Sequence, residues 1–224
     1  MLPIRLAPEP PPFDTLVRQP GLLAIDDMLG RPVPTRTGPP RTQYSSLSEI
    51  PLKKFPDTWT AAIPWLREAY SCICAYSCLY IEHVTGHKTV DHFHPKGVRR
   101  DLIYEWSNYR LASHSMNRQK GNKIDILDPF EVRSGMFALD LVNMKVIPGP
   151  HAGADLAQIE ATIQALRLDG PDYKAALSCY FDDYWRGQIT ISFLNERAPF
   201  LAHELRRQRW PTPPLQPTLL TLLD

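Results

Sequence analysis

Cysteine is scarce in this chain, with four among 224 residues. Cys72, Cys74, Cys78 and Cys179 are too few, and three of them too close together, to form a disulfide framework. Reduced thiols in a cytoplasmic protein are the expectation. No apolar run approaches the roughly 20 residues that a membrane-spanning helix needs. Residues 1–12 hold no apolar stretch long enough for a secretory leader. Net charge is almost nil, at +1. That excludes a chain that coats polyanions through overall charge alone. No internal repeat is visible, and nothing marks an oriented Cys–His pair for thiol chemistry.

The remaining composition is that of an ordinary globular protein, 43% hydrophobic and 22% charged, except for its proline. Of 23 prolines, 12 lie in residues 1–56. A segment carrying PEPPPF and GPP resists both helix and central strand. Residues 1–56 therefore read as an extended arm that wraps a core or a partner, with one short helical turn at 22–28. Residues 57–70 read as helix, with Trp59, Ala62, Ile63, Leu66 and Tyr70 near one face. Pro64 places the regular helix from Ile63 onward. Residues 137–142 and 145–147 flank Asn143-Met144 as a hairpin. Helices are expected over 154–168, 172–185 and 189–210, the last broken near Pro199. A division follows into an arm (1–56), a central unit (57–130) and a hairpin with helices (131–224), the last packed on the centre.

The central unit carries the chemistry. Thr89, Val90 and Phe93 favour a strand that Pro95 ends. Alternation places Asp91 on one face and His92 and His94 on the other. The apolar run 79–84 with Gly86 suggests a hairpin returning into that strand. Asn117 and the serines before it suit the start of a short helix. Strand, strand and helix in that order bring Asp91 and Asn117 onto one site. A carboxylate and an amide oxygen suit a hard cation such as Mg2+ or Mn2+, which takes oxygen ligands and keeps several waters. A nearby imidazole can take a proton from an attacking water. Residues 90–125 hold seven Lys and Arg against four Asp and Glu. Arg118, Lys120 and Lys123 are the expected phosphate contacts.

Each residue has a plainer reading when taken singly. Asn108 suits a turn, the basic trio suits a solvated helix face, and His94 suits the surface or support of a neighbouring ligand. Tyr104 and Trp106 read as core, and Arg206, Arg207 and Arg209 as a solvated face. It is the order of Asp91-His92, Asn108 and Asn117, with Lys120-Gly121 following, that favours a metal site.

With VDHFHPKG, YEWSNYRLASHSMNRQKGNK and LDP, the chain resembles the ββα-metal (HNH) endonucleases. The branch it is most similar to includes the nucleases of retron and Septu-type anti-phage systems. PEPPPF and CAYSCLYIE add to the likeness, which is weaker over the N-terminus, while the C-terminal part matches nothing recognisable. The resemblance implies an α+β fold: a central ββα-metal finger packed against flanking α-helices, with an extended Pro-rich N-terminal arm. It implies Asp91 and Asn117 as metal ligands, His92 as general base, and Asn108 as the residue that orients His92 and the loop. It implies DNA as substrate, a role in antiviral defence, and an ATPase or sensor protein as partner. An inactive nucleic-acid-binding or scaffold subunit is the alternative, and a nicking or RNA-directed enzyme a third.

Many relatives brace this finger with zinc on two Cys-x-x-Cys pairs. Here those positions are Cys74 and Ser77, then Ser113 and Met116, so no structural zinc is expected. An alternative set of Cys74, Cys78, His83 and His114 fits no common zinc spacing.

Overall fold

The computed structural model describes residues 1–34, 38, 43–83 and 87–214. Its N-terminal arm departs from the extended path that the prolines predict. A π-helical turn, Asp14–Arg18, runs directly into helix α1, Gln19–Met28. Pro20 lacks an N–H, and its ring crowds the carbonyl one turn back; the wider π-turn relieves that clash. The helix buries Val17, Gly21 and Ile25. At Gly21 a Cβ would lie 2.5 Å from the Tyr104 ring, so the close approach requires glycine. A 3-10 turn, Thr58–Ala62, leads into α2, Ile63–Ala69, with Pro64 in its first turn as expected.

Strand β1, Lys88–His92, pairs antiparallel with β2, Tyr109–Ser113. This corrects the expected pairing with the run from Leu79. Tyr80 makes only an isolated bridge to Ile73, and the expected turn at Gly86 lies outside the described residues. The true partner strand was obscure because Tyr109, Arg110, Leu111 and Ala112 are all buried, which removes the period-two alternation of a half-exposed strand. Helix α3, His114–Lys120, follows β2 without a loop. Ser113 Oγ caps it, accepting from the Met116 N–H at 3.3 Å. Gly121 ends it at φ +51°, where a side chain would be strained. Strand, strand and helix thus occur in the expected order, one strand later than expected.

The second hairpin pairs β3, Phe137–Asp140, with β4, Lys145–Pro148. Helices α4 (Leu156–Ala165), α5 (Pro171–Trp185), α6 (Ile191–Arg197) and α7 (Pro199–Arg207) follow, with the break at Pro199 as read from sequence. The architecture is α+β, with two small antiparallel sheets. Buried apolar residues from the arm, the centre and the C-terminal helices form one contiguous cluster. Among the described residues no helix is long and apolar enough to cross a membrane.

Candidate functional site

A cleft of about 460 Å³ opens beside β1 and the C-terminal end of α3. Asp91, His92 and Asn117 all border it, together with Trp59, Lys88, Lys96 and Gly121. Asp91, next to last in β1, is 2% exposed. Its Oδ2 accepts the Tyr76 hydroxyl, and its Oδ1 lies 3.2 Å from Lys120 Nζ. Burial raises the Asp91 pKa, while Lys120 and Tyr76 pull the other way. The Tyr76 hydroxyl is held well above its usual range by burial and by Asp91, so it serves as a neutral donor. A carboxylate has about four lone-pair positions. Two partners leave Asp91 further capacity toward the cleft.

His92 packs edge-on against Trp59 and Tyr109, each 5.1 Å between ring centres. Its Nε2 lies 2.9 Å from the Ile103 carbonyl. A carbonyl only accepts, so Nε2 carries the proton and Nδ1 is the basic nitrogen. Among the described residues Nδ1 has no hydrogen-bond partner, and it is not a buried orphan. Burial lowers the His92 pKa to about 4, with Lys96 and Lys120 adding to that and the Ile103 carbonyl opposing it. The imidazole is neutral at pH 7.

Asn117 donates its amide to Thr89 Oγ1 at 2.9 Å and to the Val90 carbonyl at 3.4 Å. Those bonds fix the flip of the amide and leave Oδ1 without a partner among the described residues. The Asn108 side chain makes its hydrogen bonds to residues other than His92. Its Oδ1 accepts from the His94 N–H at 2.8 Å, and its amide donates to the His94 and Leu102 carbonyls, each at 3.1 Å. It thereby ties the end of β1 to the loop whose next carbonyl, Ile103, holds His92.

The other expected residues lie elsewhere. The His94 side chain is exposed and does not border the cleft. Arg118 borders a second cleft with Ser77, Ser113 and Arg167, away from Asp91. Lys120 is fully buried, with Nζ 2.9 Å from the His92 carbonyl, so it faces Asp91 and not solvent. Burial lowers its pKa, and Asp91 opposes that shift. Lys123 is exposed and donates to the Gln119 carbonyl.

Two of the positions at which the HNH likeness would put zinc ligands carry other bonds: Ser113 caps α3, and the Ser77 carbonyl accepts the Tyr173 hydroxyl at 2.6 Å. His83 sits 2.7 Å from Arg67, and His114 faces His87, so neither joins Cys74 and Cys78. Among the described residues no three His, Cys, Asp or Glu side chains converge as a metal site. The cleft offers one carboxylate and one amide oxygen.

Sequence reasoning missed Tyr76, Trp59, Lys96 and the Arg110–Asp128 pair. Arg110, opposite Asp91 across the strands, makes a two-pronged bond to Asp128, with Nε to Oδ1 at 2.9 Å and Nη2 to Oδ2 at 2.5 Å. The LDP motif pointed at Asp128 without revealing its partner. No family model matches this sequence, and no curated protein matches it.

Proposed function

We propose that the cleft hydrolyses phosphodiester bonds of DNA with one divalent cation. The observation that carries this reading is a neutral imidazole fixed through Nε2, bordering the same cleft as a buried carboxylate and an amide, with Nδ1 and the amide oxygen unpartnered among the described residues. The donor set fits a hard cation. Asp91 and Asn117 would hold Mg2+ or Mn2+ by oxygen alone, with water completing the shell. Such a cation supplies Lewis acidity at a phosphoryl oxygen and at the leaving alkoxide.

The chain's own residues do the rest. His92 accepts the proton of an attacking water at Nδ1, and the Ile103 carbonyl holds the ring in the required tautomer. Asn108 keeps that carbonyl in register through its bonds to His94 and Leu102. Tyr76 and Lys120 hold the Asp91 carboxylate in place and favour its ionised form. The order of Asp91-His92, Asn108 and Asn117 also resembles the HNH endonucleases. On that likeness we place the enzyme in antiviral defence, in company with an ATPase or sensor protein.

An inactive binding subunit is the second reading, favoured by one observation: Lys120 already provides Asp91 with a positive partner. Cleavage of supercoiled plasmid separates the two. The nuclease nicks plasmid with Mg2+ or Mn2+, stops in EDTA, and loses at least about 100-fold in rate in His92→Ala, the scale of general-base catalysis. A folded wild-type protein that binds DNA and cuts under no metal supports the binding subunit.

A further inference from the structure

The residues that sequence offered as phosphate contacts are placed away from the cleft or spent on other bonds. Arg118 borders the second cleft, Lys120 is buried against Asp91, and Lys123 bonds to a backbone carbonyl. Nearby arginines are also engaged, Arg110 with Asp128 and Arg99 with Asp101. The lysines that border the cleft are Lys88 and Lys96.

Lys96 is the better placed of the two. It follows Pro95 in a turn held by Val98 and Arg99, whose N–H groups donate to the Pro95 carbonyl at 2.8 and 3.0 Å. Its Nζ lies 3.9 Å from the centre of the Trp59 ring. The same ring packs edge-on against His92. One indole at the cleft therefore contacts both the imidazole and a cation. Among the described residues no carboxylate lies within ion-pair distance of Lys96; Asp57 acts on it only at longer range. A lysine lying over an aromatic face has already given up much of its side-chain freedom, so a phosphate meets a partly ordered cation.

We propose that Lys96, held over Trp59, contacts a backbone phosphate of the DNA beside His92. The assignment rests on the nuclease reading and specifies how its substrate is held. Lys96 supplies charge and position, and takes no proton in the reaction.

The test is binding of a 20-base-pair DNA duplex in EDTA, where nothing is cut, as salt is varied. Each phosphate contact contributes about 0.9 to the slope of log affinity against log salt. Lys96→Met is expected to lower that slope by about 0.9 and to weaken binding roughly tenfold near 0.1 M salt. Lys96→Arg keeps the cation and the ring contact and should retain the wild-type slope. Lys145→Met, on β4, removes the same charge elsewhere and should also retain it. Wild-type slope and affinity in folded Lys96→Met and Lys96→Gln overturn the assignment alone. An equal loss in Lys145→Met overturns it too, as a general charge effect. Failure of the wild-type protein to bind DNA overturns the nuclease reading beneath it.

Discussion

Burying Asp91 and Lys120 side by side strips both of water, a cost that their 3.2 Å contact offsets only with help. The help comes from the Tyr76 hydroxyl on the carboxylate and the His92 carbonyl on the ammonium. Removing one partner strands the other. Lys120→Met is expected to lower unfolding stability by about 3–5 kcal/mol. Urea denaturation reads this, and a loss under about 1 kcal/mol, typical of an exposed pair, would contradict it. That Asp91, His92 and Asn117 border one cleft was legible because such residue types are unusual in that order. Lys120 was legible as a charge but not as a buried one, since a basic residue near a helix end looks the same either way. Tyr76, Trp59 and Lys96 carried no local signal, because only tertiary packing brings an ordinary aromatic or lysine to the cleft.

Helix α3 is the element on which the site depends, since it delivers both Asn117 and Lys120. It has seven residues, too short to persist alone in water. Its ends carry the stabilising devices: the Ser113 hydroxyl at one and Gly121 at the other. Ser113→Ala should cost about 1 kcal/mol, the usual worth of an N-cap. Thermal denaturation checks that, and an unchanged midpoint would show the cap to be dispensable. Strand β1 and the two-part helix near Pro199 were legible from β-branched residues and from proline. Strand β2 was not, because burial on both faces erases the alternation that marks a strand. The end of the helix that closes at Met28, residues 22–28, was legible as a helical turn, but its start from Asp14 was hidden by Pro20, which follows the π-turn.

At the scale of the whole molecule, the C-terminal helices brace the centre at defined points. The Tyr173 hydroxyl of α5 holds the Ser77 carbonyl, and Thr162 Oγ1 of α4 accepts from the Leu127 N–H at 2.8 Å. Glu204 of α7 is fully buried and accepts from the Leu139 N–H, Arg207 and Gln208. Burial works against its ionisation, but these hydrogen bonds outweigh it and hold its pKa below the usual value. A depressed carboxyl pKa means that the unfolded chain takes the proton first. The resulting stability is complete above the unfolded value near about 4.3 and is lost as pH falls through the lower folded value. Glu204→Gln should therefore flatten the fall in thermal midpoint between about pH 5 and pH 3. An unaltered pH profile would contradict this role. These braces were illegible in sequence, since each joins segments far apart in the chain.

The central claim is that Asp91 and Asn117 together hold one cation. Calorimetric titration of Mn2+ into the wild-type protein and Asn117→Ala at pH 7 tests it most directly. The account predicts one site per chain in the wild type, weakened at least about tenfold in the variant, as loss of a ligand should do. No site in the wild type, or equal affinity in both proteins, would contradict it.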